Sequence, residues 1–165
     1  MRDIMGFARV DFKEFKEFQK KLERLQKVEL EEFCRDCSKE LAARLLAKVI
    51  KRTPVGNPDN WKSGKAPPGY VGGTLRRGWT AGKSQNAKAY VDSLNVEKIG
   101  NDYRIEIINP IHYAVYVNYG HRTSNHKSWV PGQFFLEISE NELESQSIGI
   151  LQKKLMKFLG EAFND

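Results

Sequence analysis

Cys34 and Cys37, together with His121 and His126, are the residues whose types could hold a metal. Zinc takes four such ligands, and a Cys-x-x-Cys pair has the spacing of half a site. Here the pair falls between Phe33 and Leu41 in a run that reads as helix, which puts both thiols on one apolar face. Structural zinc sites present such a pair from a turn, so two small buried hydrophobes are the better account. A thioredoxin-like pair wants a strand-to-helix junction, and none precedes Cys34. The spacing of His121 and His126 does not stack two imidazoles on one helix face. His112, after Pro110 and Ile111, reads as a partly buried polar residue. Ser63, Ser84, Ser93 and Ser128 lack the glycine elbow of an activated nucleophile. Gly69, Gly72 and Gly73 resemble a phosphate cradle, but no Gly-Lys-Ser/Thr opens a helix behind them. These tests point away from catalysis, and no cofactor or metal is expected.

Two other stretches concentrate glycine, arginine and aromatics. The first runs Arg52-Thr53-Pro54-Val55-Gly56, then, past a Gly/Pro-rich loop, Gly72-Gly73-Thr74-Leu75-Arg76-Arg77-Gly78-Trp79. The second is Tyr113-Ala114-Val115-Tyr116-Val117-Asn118-Tyr119-Gly120-His121-Arg122, closed by Trp129-Val130-Pro131-Gly132-Gln133-Phe134-Phe135-Leu136. The planar guanidinium and the large area of tryptophan and tyrosine are favoured where proteins meet. The expected contact residues are Trp61, Tyr70, Arg76, Arg77, Trp79, Tyr119, Gly120, His121, Arg122 and Trp129. Tyr113 and Tyr116 share a helical face and are expected to pack in the core, leaving Tyr119 to point toward a partner. The alternative is nucleic-acid binding through a basic aromatic loop, 61–83, in which Lys62, Lys65, Arg76, Arg77 and Lys83 alternate with Trp61, Tyr70 and Trp79. No helix-turn-helix, RNA-recognition or zinc-finger pattern supports it, so protein contact is preferred.

The elements that must position these stretches follow from periodicity. The chain has 165 residues, 40% of them hydrophobic, with nine Phe, six Tyr and three Trp, enough to build a core and too many for a disordered chain. No apolar window is long enough to span a bilayer and the N-terminus does not begin a signal peptide, so the chain reads as soluble and cytoplasmic at synthesis. The net charge of +6 is uneven, with 10 basic and 5 acidic groups in residues 54–136 and 3 basic and 6 acidic in 137–165. A mixed surface of this kind is first of all soluble. Phe12, Phe15, Phe18, Leu22 and Leu25, then Leu30, Phe33, Cys37, Leu41 and Leu45, recur at helical steps over residues 11–52. Unbroken, that helix would be about 60 Å long. An interruption near Val28-Glu29-Leu30 is therefore expected, or else a projecting end that packs on a neighbouring subunit. Pro54 stops the helix, and residues 55–74 form an extended Gly/Pro-rich loop. Residues 75–81 read as a short strand. A hairpin follows, Ser93–Ile99 with Tyr103–Ile108 around Gly100-Asn101-Asp102. Residues 112–120 read as a short helix ending on Gly120 in the left-handed region, residues 121–131 as a loop, and 132–163 as a C-terminal helical segment. The fold class is α+β: a small antiparallel sheet, from strands in 75–109, against a long N-terminal helical segment and a C-terminal helix, in one domain.

The motifs Arg52-Thr53-Pro54-Val55, Thr74-Leu75-Arg76-Arg77-Gly78-Trp79, the run from Tyr113 to Arg122 and the run from Trp129 to Leu136, taken in order, resemble the minor head-tail joining proteins of tailed bacteriophages, also called tail-completion or neck proteins. The similarity covers residues from about 30 to 160. Many members pass from Thr-Pro-Val to Leu-Arg through a short Asp-Thr-Gly, whereas here Gly56 to Gly73 is expanded, as in prophages and tail-like particles of Gram-positive bacteria. The resemblance implies a non-enzymatic virion component that docks through loops and oligomerises with itself, as a sixfold ring, between head-connector and tail proteins. DNA would pass through the ring without being read. It would be assembled in the bacterial cytoplasm and carried in the virion.

Overall fold

The computed structural model describes residues 27–57, 66 and 68–163. Residues 11–26 of the expected N-terminal helix, and Trp61, lie outside the described residues.

Helix α1 (Lys27–Arg52) has no Gly or Pro, an acid in its first turn (Glu29) and Lys51 and Arg52 in its last, the order that complements the helix dipole. Val28, Glu29 and Leu30 are helical, and the residues before Lys27, where an interruption or a projecting end was expected to show, lie outside the described residues. Leu30, Phe33, Cys34, Cys37, Leu41, Leu45 and Val49 line its buried face. The thiol of Cys37 is pushed up to about 12 by burial, so it stays protonated and packs as an apolar group. Two short helices, α2 (Thr74–Gly78) and α3 (Ala87–Asp92), lead to an antiparallel pair, β1 (Glu97–Ile99) and β2 (Asp102–Arg104). A third short helix, α4 (Ala114–Tyr119), enters a second pair, β3 (Gly120–Arg122) and β4 (Trp129–Pro131), and the long helix α5 (Phe135–Phe163) closes the sequence of elements. The architecture is α+β, with two separate two-stranded sheets among the described residues.

The two long helices, 26 and 29 residues, run antiparallel. Phe33 near the start of α1 stacks on Phe158 near the end of α5, ring centroids 4.6 Å apart, and Lys154 donates to the carbonyl of Asp36 at 3.1 Å. At the other end Lys48 donates to Glu142 at 2.6 Å, and Arg52 bonds the same carboxylate. Leu136, Leu143 and Leu151 of α5 complete the seam. Each fully buried leucine here stabilises the fold by roughly 1.5–3 kcal/mol.

The first hairpin occurs where its alternation predicts, shortened to three pairs from Glu97↔Arg104 to Ile99↔Asp102. Val96 and Ile107 are its buried anchors. Arg35 of α1 donates to the carbonyl of Val96 at 2.6 Å and lies over the ring of Tyr103, which ties the hairpin to the helix.

Residues 74–78 are helical where the sequence pattern predicts a strand, and the remainder of 75–109 contains only the β1–β2 pair. The reason lies in which side chains need burial. Leu75, Gly78 and Trp79 are buried while Arg76 and Arg77 reach the surface edge, a spacing of three and four. A strand would have put Arg77 on the buried face with Leu75 and Trp79. Helix α3 was also not anticipated. Its signal is Asn86, whose side chain accepts the amide of Ala89 at 2.8 Å as an N-cap. No helix among the described residues is long and apolar enough to cross a membrane.

Candidate functional site

The four motifs fold into two latches, each joining two of them. The first closes on Thr53, which is fully buried. Its hydroxyl donates to the carbonyl of Val49 at 2.7 Å and accepts the indole N–H of Trp79 at 2.8 Å. The Thr53 carbonyl accepts both Nε and an Nη of Arg76, at 3.0 and 2.7 Å. Arg76 thus puts a cation on the last carbonyls of α1, where the helix dipole is negative. Gly78 has no room for a side chain, because a Cβ there would strike the Asn109 amide. That amide donates to the carbonyl of Leu75 at 2.9 Å.

Two of the expected contact residues are accordingly structural. Trp79 is 2% exposed, packed edge-on against Phe135, and has no surface to offer a neighbour. The guanidinium of Arg76 is spent on the end of α1. Arg77 remains exposed, with hydrogen bonds back to the Gly72 carbonyl and the Thr74 hydroxyl, and Tyr70 is half-buried beside Gly56. Burial of Trp79 and engagement of Arg76 also remove two groups that the nucleic-acid reading of loop 61–83 relied on.

The second latch centres on Asn118, also fully buried. Its amide N–H2 donates to both carboxylate oxygens of Glu137, at 3.0 and 2.9 Å, and its side-chain oxygen accepts the amide of Leu136. The amides of Gln133 and Phe134 donate to the carbonyls of Val117 and Asn118. The start of α5 is thereby stitched to α4. Motif spacing gave no hint of Asn118; the usable signal was a polar residue on the inward face of a short helix.

Residues 121–131 form a hairpin where a loop was expected, in register Gly120↔Pro131, His121↔Val130 and Arg122↔Trp129. Gly120 does not take the left-handed cap conformation. Its φ of 89° and ψ of 170° start a strand, and a Cβ there would meet the Val130 carbonyl at 2.6 Å. It is buried, with β4 packed closely over it. The hairpin tip is ordered by its own bonds: Thr123 pairs with Ser128, and the Asn125 side chain accepts the amide of Lys127.

Around this hairpin the aromatics face outward. Trp129 is 59% exposed, and Tyr116, Tyr119, Val130 and Phe134 are exposed beside it. Tyr116 leans edge-on against His121 and Tyr119 against Phe134. Tyr116 is therefore a surface residue, contrary to its expected place in the core, and His112 is exposed where partial burial was expected. Phe134 holds φ at 48°, which is costly for a bulky side chain. The Tyr119 hydroxyl is raised by its hydrogen bond to Glu137, with burial adding to the effect. Burial, and then the charge of Glu137, also raise the carboxyl of Glu140. Arg122 is exposed at the hairpin edge. Of the expected contact residues, Tyr119, His121, Arg122 and Trp129 are brought together on one surface, while Arg77 and Tyr70 lie in the segment around the first latch.

The model of a family described as "Bacteriophage HK97-gp10, putative tail-component" matches residues 16–120. The chain belongs to this HK97-gp10-like family. The match spans α1, the first latch and α4, and it ends on Gly120, so it begins earlier and stops sooner than the motif resemblance over 30–160. No curated protein and no solved structure matches the chain. Membership makes this a phage tail-related structural component, a protein of the virion that works in contact with other virion proteins.

Proposed function

We propose that this family member joins head to tail, as a non-enzymatic neck or tail-completion protein that docks through the β3–β4 hairpin and its aromatic base. The observation that carries this reading is the outward cluster of Tyr116, Tyr119, Trp129 and Phe134 on a rigidly latched base. Large aromatics on an ordered, otherwise polar ribbon supply contact area at little entropic cost, which is what docking surfaces are made of. Copies would form a ring, sixfold on the family resemblance, between head-connector and tail proteins. A positively charged lumen would let DNA pass without reading its sequence. Assembly would take place in the bacterial cytoplasm and leave the protein in the finished particle.

Electron microscopy of particles lacking the protein tests this. Filled heads detached from tails are expected, and complementation with Trp129→Ala should restore joining poorly although the variant folds normally. Normal tailed particles without the protein would reject the proposal. Tight, steeply salt-dependent binding of purified protein to duplex DNA, lost on Arg77→Ala, would favour the nucleic-acid reading instead.

A further inference from the structure

Glu140 is half-buried early in α5, and no cation among the described residues forms an ion pair with it. Its neighbours three and four positions away along the helix are Leu136, Glu137, Leu143 and Glu144, which offer it no positive charge. Lys48 and Arg52, which reach α5 from α1, are both taken by Glu142. Burial and the charge of Glu137 raise the Glu140 carboxyl, and nothing nearby lowers it. The ionised group therefore costs the isolated copy stability, and a guanidinium brought from outside would offset that cost. The carboxylate also borders the exposed aromatics. Its charge is felt at the Tyr119 hydroxyl, and the Tyr119 ring lies edge-on to Phe134.

The β3–β4 ribbon carries the complement. From Ile107 to Leu136 the chain has no Asp or Glu, and from Ser128 to Gln152 it has no Lys or Arg. The ribbon is thus basic, through Arg122 and Lys127, where the start of α5 is acidic. Arg122 is exposed and stands directly across from Trp129 in the register. Opposite residues of an antiparallel pair share a face, with their Cβ atoms about 5 Å apart. One face of the ribbon therefore presents a guanidinium beside an exposed indole. The planar fork of arginine suits a carboxylate held among rings better than an ammonium does. Within one copy Arg122 makes no ion pair among the described residues, so what the ribbon offers and what α5 lacks stay apart.

We propose that the ribbon of one copy docks on the start of α5 of another, with Arg122 paired to Glu140 and Trp129 laid against Tyr119 and Phe134. The rings keep water from the ion pair, which strengthens it. This contact deepens the docking reading above and rests on it for the surface alone.

The test uses full-length chains and reads mass in solution by analytical ultracentrifugation. Wild type should self-associate at its highest soluble concentration and come apart as salt is raised. Arg122→Glu and Glu140→Arg should each be monomeric, and the chain carrying both changes should associate again, because the pair is restored with its signs exchanged. Glu140→Gln should weaken association by roughly tenfold or more. In dilute solution at neutral pH the same variant should melt at or above the wild-type temperature, whereas loss of a merely structural carboxylate would lower both readouts together. Arg122→Glu and Glu140→Gln alter no core side chain, so they decide the question if Glu140→Arg does not fold. Wild type that stays monomeric, single changes that associate normally, or a folded double reversal that stays monomeric overturns the proposal. Head-tail joining in particles lacking the protein is read separately, so either reading can fail while the other holds.

Discussion

Thr53 shows how one hydroxyl can serve two motifs at once, donating to Val49 and accepting from Trp79 while its carbonyl holds Arg76. Thr53→Val keeps the shape and removes the acceptor, leaving a buried indole N–H without a partner. Such a loss costs about 1–3 kcal/mol, which urea denaturation should show as a lower midpoint. Glu140 poses the opposite case. Its folded-state carboxyl is raised by burial and by Glu137, so ionisation works against the fold. That cost is fully present above the raised value and vanishes once pH falls below the ordinary carboxylate value. Glu140→Gln should therefore melt higher than wild type at neutral pH, and the gap should close on acidification. A gap of constant size across that range would contradict the assignment.

Among the elements, the α1–α5 seam is fastened at its Arg52 end by Glu142, whose carboxyl is lowered first by Lys48 and then by Arg52. A lowered carboxyl contributes stability that is whole above its ordinary value and is lost as pH falls through the depressed one. Glu142→Gln should be less stable than wild type at neutral pH and indistinguishable from it in acid, the reverse trend to Glu140→Gln; thermal melts from pH 7 downward separate the two. The long helices were legible because their apolar stripes repeat over many turns without Gly or Pro. The β1–β2 hairpin was legible from alternation around Gly100 and Asn101. Helix α2 was misread because five residues carry too few periods to separate a step of two from a step of three or four. The β3–β4 ribbon was misread because its apolar residues face solvent, so no alternation of burial marks it. In the candidate site, aromatics identified the region, but which of them face outward depends on partners far along the chain. Trp79 turned inward because Thr53 offered its indole an acceptor, and Tyr116 turned outward to lie against His121.

Taken whole, the molecule divides labour between a core that is shut and a ribbon that is open. Both latches tie chain segments that are well separated in sequence, and both end on a long helix: the first on α1, the second on α5. The family motifs read from the sequence as contact chemistry are, at Thr53, Arg76, Gly78 and Trp79, the means of holding α1 against the middle of the chain. The exposed aromatics collect on the hairpin and at the start of α5, mostly beyond the residues that the family model matches.

The antiparallel seam has a consequence for biosynthesis. The Phe158 ring that stacks on Phe33 and the Lys154 that donates to the Asp36 carbonyl lie near the other end of the chain. While the ribosome adds the roughly 100 residues between the middle of α1 and the seam-forming part of α5, about 5–20 s at ordinary elongation rates, the part of α1 that faces α5 lacks that cover. Nascent chains arrested before Phe135 should be held by chaperones or aggregate, and release of the last helix should be the moment at which the protein becomes protease-resistant.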